Sequence, residues 1–165
     1  MKQLIIIRHC KSSWLDSSLS DYERPLNKRG RNDGYKMSNE LSKKIKHVDL
    51  LISSSSIRTK LTSNIFIDKI NINEIQYRDD FYHSSSENII SILEKINNSF
   101  KSVIIIGHNP GFTDLVNKLT NINLFNLPTT GIVIVDLNIK NWDQILTKNT
   151  GYEINWIKFP KELKL

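Results

Sequence analysis

Cysteine is all but absent from this chain. Cys10 stands alone among 165 residues, so no internal disulfide can form and a disulfide-stapled secreted scaffold is excluded. Long hydrophobic runs are missing too. Nothing approaches the roughly 18 apolar residues that a membrane-spanning helix requires. The N-terminal run Leu4-Ile5-Ile6-Ile7 stops at Arg8-His9 without a small-residue cleavage site, so it reads as a buried strand and not as a signal peptide. No block of like charge reaches five residues, and no basic run is interleaved with aromatics, which leaves a nucleic-acid face without support. Repeats, linkers and low-complexity segments are also lacking, so a single domain over residues 1–165 is expected. A cytoplasmic monomer with no membrane or nucleic-acid partner completes the expectation.

What is present suits an ordinary folded domain, with 39% hydrophobic and 24% charged residues. The net charge of +6 is carried mostly by lysine in a chain crowded with Asn and Ile, and by itself describes a solvated surface. Arginine is more telling. In a chain that uses lysine for bare charge, arginine marks positions for forked, bidentate contacts, and Arg8, Arg24, Arg29 and Arg58 all fall in the motifs below.

Strand and helix signals alternate. Gln3–Arg8 is a short apolar run of the kind a doubly covered parallel strand shows. Met37, Leu41 and Ile45 mark one face of a helix from Asn27 to about Lys46, near whose start Gly30 and Gly34 allow close packing; His47 would end it. Val48–Ser53 follows as a strand, then Ser55–Ile70 as a helix with Leu61 and Ile65 facing inward. Glu74–Tyr77 is a short strand. Ser84 with Glu87 forms a capping-box signature ahead of the stripe Ile89, Ile92, Leu93 and Ile96. Ser102–Gly107 is a buried strand, and Phe112, Leu115, Val116 and Leu119 lie on the helix after it. Ile132–Leu137 and Ile154–Phe159 pair as a late hairpin around a turn holding Trp142.

Repeated strand–helix units predict a mostly parallel sheet with helices on both faces. Ligands bind such sheets beyond the carboxyl ends of the strands. Arg8-His9 follows the first strand, Ser53–Arg58 the second and Gly107-His108 the fourth, so two arginines and two histidines converge on one rim. Their chemistry is coherent. A neutral imidazole can attack phosphorus and leave again, dividing hydrolysis into two steps, provided an acceptor holds its other ring nitrogen. Arginines supply paired hydrogen bonds to phosphoryl oxygens, and a second histidine can add another donor.

Four ordered stretches resemble the histidine phosphatase superfamily in its short SixA-type phosphohistidine phosphatase branch. They are Arg8-His9-Cys10-Lys11-Ser12-Ser13-Trp14, Asp21-Tyr22-Glu23-Arg24-Pro25-Leu26-Asn27-Lys28-Arg29-Gly30, Ser53–Thr59 and Gly107-His108-Asn109-Pro110-Gly111. The resemblance implies a single three-layer α/β/α domain of phosphoglycerate-mutase-like fold, with no metal or organic cofactor. It makes His9 the phosphate-accepting nucleophile and assigns phosphoryl binding to Arg8, Arg58 and His108. Lys11, Ser12, Asn109 and His83 are further candidates for touching phosphate or substrate, and Arg24 and Arg29 for bracing the loop with Asp21. The implied substrate is a phosphorylated molecule, with a phosphohistidine-carrying protein favoured. A small-molecule phosphomonoesterase and a phosphoprotein-binding module without turnover are the alternatives.

The chain also departs from the superfamily. The carboxylate general acid expected after the third strand is absent, and Asp79, Asp80, Tyr82 and His83 stand in that region. Cys10 replaces a glycine. A cysteine-phosphatase loop would need Arg six positions after it, where Asp16 stands, so Cys10 is read as a packed residue. A metal site is disfavoured because no ligand-spaced His or Cys pair is present and the arginines would repel a cation.

Overall fold

The computed structural model describes residues 1–146 and 151–163. Six strands, β1 (Lys2–Arg8), β2 (His47–Ser54), β3 (Asn71–Arg78), β4 (Ser102–Gly107), β5 (Ile132–Leu137) and β6 (Glu153–Lys158), form one sheet in the order β3-β2-β4-β1-β5-β6. The neighbouring pairs among β1 to β4 are parallel; β5 lies antiparallel to β1 and β6 antiparallel to β5. Helices α1 (Lys28–Lys44), α2 (Ile57–Ile67), α3 (Ser86–Leu93) and α4 (Gly111–Leu119) complete three layers.

Alternation along β1 builds the layers. Ile5 and Ile7 pack with Met37 and Leu41 of α1 and Phe66 of α2, whereas Leu4 and Ile6 pack with Leu93, Phe112 and Leu115 of α3 and α4. Both faces of the strand are covered, which is why it is apolar without a break. From β1 the chain crosses by α1 toward β2, and from β4 it crosses by α4 on the opposite face toward β5. Adjacent strands whose connections leave in opposite directions open a crevice at their carboxyl ends. Arg8, His9 and His108 stand at that crevice.

Several elements differ from expectation for local reasons. Helix α2 is shorter, and Leu61 is solvent-facing. Its inward stripe is Arg58, Thr59, Thr62, Ser63 and Phe66, spaced as one helical face, because this helix supports the polar loop after β1 as well as the core. The cap of α3 is Ser85, whose Oγ accepts from Asn88 N at 3.1 Å; Ser84 lies one residue too early, and Glu87 pairs with Lys118 instead. Strand β3 is a full edge strand. Helix α1 ends at Lys44, so His47 begins β2 and its Nε2 meets Asn73 Oδ1 at 2.9 Å. Trp142 is wholly buried, its indole donating to Phe100 O at 2.8 Å. The remainder of that β5–β6 connection, residues 147–150, lies outside the described residues.

Candidate active site

His9 follows β1 directly and is almost fully buried. Its Nδ1 lies 2.8 Å from Cys10 O. A carbonyl can only accept, so Nδ1 carries the hydrogen and Nε2 keeps its lone pair. Burial pushes the pKa of His9 from 6.5 down to about 3, with the charges of Arg58, Arg8 and Arg24 acting in the same direction and the bond to Cys10 opposing them. The ring is therefore neutral at physiological pH with one tautomer selected, as an attacking imidazole requires.

The loop carrying His9 is fixed from both sides. Cys10 N donates to Thr62 Oγ1 at 2.9 Å, and the Cys10 thiol is buried, which raises its pKa and keeps it protonated. Asn27 N donates to Lys11 O at 3.0 Å. A Cβ on Gly30 would stand 2.1 Å from that same oxygen, so only glycine lets α1 approach the loop this closely. Thr130, at φ 61°, donates its backbone N–H to Arg8 O at 3.0 Å and to His9 O at 3.1 Å.

Arg8 and Arg58 flank the histidine. Arg8 Nη1 donates to Leu127 O at 3.0 Å. Arg58 donates from Nη1 to Asp21 O at 2.6 Å and from Nη2 to Asp21 Oδ2 at 2.9 Å. The Nε–H of each arginine is buried and, among the described residues, meets no acceptor. Two like charges with orphaned buried donors form an arrangement that a multivalent oxyanion would satisfy. Arg8 has its pKa lowered by burial and by the Arg58 charge, so a bound anion would favour its charged form.

His108 follows β4 directly, its ring centroid 5.3 Å from that of His9. Arg58 Nη2 lies 3.3 Å from its Nδ1. A guanidinium can only donate, so Nδ1 accepts and Nε2–H donates to Ser54 Oγ at 2.8 Å. Burial, followed by the nearby His9, Arg58 and His83, drives the His108 pKa down to about 2.

Asp21 sits at the mouth on a one-turn 3-10 helix, Asp21–Glu23. Its Oδ1 accepts from Arg24 Nη2 at 2.9 Å, and its Oδ2 accepts from Arg58, from the Tyr82 hydroxyl and from His83 Nε2 at 3.1 Å. Burial works against ionisation here, but the bonds from Tyr82, Arg24 and Arg58 outweigh it and hold the carboxyl far below its usual range. Tyr82 stacks on Tyr22 at 5.1 Å and on His108 at 5.3 Å. Gly111 brings this segment over His108, since a Cβ there would lie 2.0 Å from Ser84 O.

The structure thus brings Arg8, His9, Arg58 and His108 together, with His83 at the rim. Ser12 Oγ accepts from Arg24 Nη1 at 2.5 Å, and Arg24 lies 3.5 Å from the ring of exposed Trp14. Lys11 offers the loop its carbonyl. The amide of Asn109 is committed to Asn126, Leu127 and Thr113. Arg29 does not brace the loop; it is exposed and faces Asp33. Asp80 turns away, both oxygens held by Arg78 at 2.8 and 2.7 Å. Sequence reasoning undervalued Asp21 and missed Ser54 and Leu127 O. Asp21 was detectable from its motif, whereas a backbone carbonyl leaves no residue signature. Among the described residues, no group of His, Cys, Asp and Glu is arranged to hold a metal ion, and no helix is long and apolar enough to cross a membrane.

Comparison with known structures gives this architecture precedent. The SixA protein of Nakamurella multipartitia superposes with a TM-score of 0.83, covering 96% of each chain at 17% identity. The chain has the phosphoglycerate-mutase-like fold. A structure of the protein histidine phosphatase SixA complexed with tungstate superposes with a TM-score of 0.80 at 24% identity, covering 98% of this chain and 99% of that one. In sequence, an uncharacterized chloroplastic protein of Arabidopsis thaliana is 26% identical over 153 residues, 87% of this chain and 70% of that protein. No protein-family model matches. Within this fold, the two buried histidines follow the carboxyl ends of β1 and β4.

Proposed function

We propose that this protein is a phosphatase that removes a phosphoryl group through a covalent phospho-His9 intermediate, with protein-borne phosphohistidine as its favoured substrate. The observation that carries the reading is the pairing of a freed His9 Nε2 with two buried arginines whose Nε–H donors have no acceptor among the described residues. An oxyanion between Arg8 and Arg58 would fill both donors and stand before the lone pair. Tungstate, bound in the related SixA structure, is an oxyanion of similar shape and supports this use of the fold.

In the first step Nε2 attacks phosphorus as the bond to the leaving group breaks. Arg8 and Arg58 neutralise the phosphoryl oxygens, and the reacting atoms are held in line by position more than by covalent help. The negative charge of the bound phosphoryl group favours protonation of His108 at Nδ1, which then gives up the bond from Arg58 and becomes a further donor to the phosphoryl oxygens. In the second step water attacks phosphorus and His9 leaves with its lone pair restored.

Leaving-group chemistry supports phosphohistidine. An alkoxide is a poor leaving group and needs a delivered proton, worth about 10²–10⁴-fold. Imidazole departs far more readily, which suits a mouth whose carboxylates are all committed to other donors. The test compares kcat/KM for phosphohistidine or phosphoramidate with that for a phosphosugar. The nitrogen-linked substrates should be turned over far better. Equal or better turnover of the phosphosugar would overturn the substrate assignment, and no turnover of any would leave a binding module.

A further inference from the structure

We propose that His83, oriented by the Asp21 carboxylate, is the proton-transfer residue of the site, passing a proton to the leaving atom and recovering it from the attacking water. The inference rests on the reading of His9 as nucleophile and resolves where a histidine phosphatase fold lacking a free carboxylic acid at its mouth finds its donor.

Elimination supplies the first argument. Of the four candidates after β3, Asp79 accepts from Ser55 Oγ and Asp80 is clasped by Arg78. Tyr82 gives its hydrogen to Asp21, and burial followed by that same carboxylate raises its pKa. Asp21 accepts from four side chains and is held ionised. Only His83 has a ring nitrogen left over, because its Nε2 faces Asp21 and its Nδ1 makes no hydrogen bond among the described residues.

Position supplies the second. The His83 ring lies 5.2 Å from that of His108 and 4.2 Å from that of Tyr82, on the open side of the pocket with 55% of its side chain exposed. A phosphoryl group held by the buried arginines would direct its leaving group toward this mouth. The backbone supplies the third argument. His83 sits at φ 48°, a left-handed conformation that is strained for a residue with a Cβ. Its neighbours hold it there. Asn88 donates to Ser84 Oγ at 2.7 Å and to Asp80 O at 2.9 Å, and Ser84 O is seated against Gly111.

The step balances. As the His9 Nε2–phosphorus bond forms, the phosphorus–leaving-group bond breaks and the Nδ1 proton of the His83 imidazolium moves to the leaving atom. Neutral His83 then takes a proton from water as the water oxygen bonds phosphorus and the phosphorus–nitrogen bond breaks. Asp21 steadies the imidazolium through Nε2–H and exchanges no proton.

The experiment measures kcat for wild type, His83→Ala and His83→Asn across phosphate monoesters from p-nitrophenyl through phenyl to alkyl. Asparagine tolerates the left-handed backbone and can still donate to Asp21, so it separates shape from proton transfer. Both variants should lose less than about tenfold on p-nitrophenyl phosphate and about 10²-fold or more on alkyl esters. Added imidazole should restore part of the alkyl activity of His83→Ala. A uniform loss across the series, no loss at all, or full activity in His83→Asn would overturn the assignment. If His9→Ala is inactive while the His83 series is flat, this inference alone fails; if His9→Ala turns over, the underlying reading fails.

Discussion

Replacing Arg58 by alanine should remove the capacity of an oxyanion to stabilise the fold. Arg58 is almost entirely buried at the start of α2, with an unsatisfied Nε–H beside Arg8. Each charge-assisted hydrogen bond contributes about 1.5–3 kcal/mol, so losing two weakens phosphate or vanadate binding by about 3 kcal/mol or more, roughly 150-fold. With the anion at about 100 times its wild-type Kd, the wild-type fold gains about 2.7 kcal/mol, a rise of roughly 5–11 °C in Tm for a domain of this size. At that same concentration the variant would gain only about 0.3 kcal/mol, or about 1 °C. The variant's starting Tm should also fall, because Asp21 and His108 lose a partner. The informative quantity is accordingly the shift between anion-free and anion-loaded samples in a thermal melt. A shift in Arg58→Ala equal to the wild-type shift would refute the placement of the anion between Arg8 and Arg58.

Three further outcomes are expected. The folded pKa values of His9 and His108, about 3 and about 2, lie below the ordinary 6.5, so the unfolded chain takes up protons first. Their share of the stability is complete above pH 6.5 and declines as pH falls, by about 1.4 kcal/mol per pH unit for each ring; urea titrations between pH 6 and 4.5 should show a shallower loss in His108→Gln, and an equal slope would contradict the buried neutral ring. Gly30→Ala must separate α1 from Lys11 O by more than an ångström to seat its Cβ, at a cost of about 1–3 kcal/mol; chemical denaturation should show that loss together with a raised KM, and unchanged values would mean the loop is not held by this contact. Asp80→Asn should slow p-nitrophenyl phosphate hydrolysis by less than about tenfold, below the range of a lost general acid, since its carboxylate serves Arg78; a larger loss in steady-state kcat would restore Asp80 as a donor.

Much of the architecture was legible because it rests on runs whose burial leaves few choices. The strands at Ile5–Ile7 and Ile104–Ile106 are apolar throughout because helices cover both faces, and a polar residue following such a run falls at the rim. That is why the rim positions of Arg8, His9 and His108 are legible in the sequence. The inward face of helix α2 is not legible in this way. Apolar spacing singled out Leu61 and Ile65, but the buried face carries Thr59, Thr62 and Ser63, whose hydroxyls are satisfied by the backbone and by the loop after β1. Hydrophobic pattern cannot register a face that is buried for its hydrogen bonds. Asp21 eluded full assignment because its role lies in meeting Tyr82 and His83, some sixty residues away in sequence. Leu127 O entered the site as backbone, invisible to any reading by residue type. The His83 conformation depends on tertiary packing against Gly111 and on Asn88.

The chemistry of His9 is tested most directly by trapping the intermediate. Wild-type protein mixed with phosphoramidate and quenched in alkali should carry one phosphoryl group, stable in base and lost in acid, that peptide mass spectrometry locates on His9. His9→Ala should carry none and should not turn over, while its circular dichroism stays that of the folded wild type. Undiminished hydrolysis by His9→Ala, or a phosphoryl group that survives acid or maps to another residue, would contradict nucleophilic attack by His9.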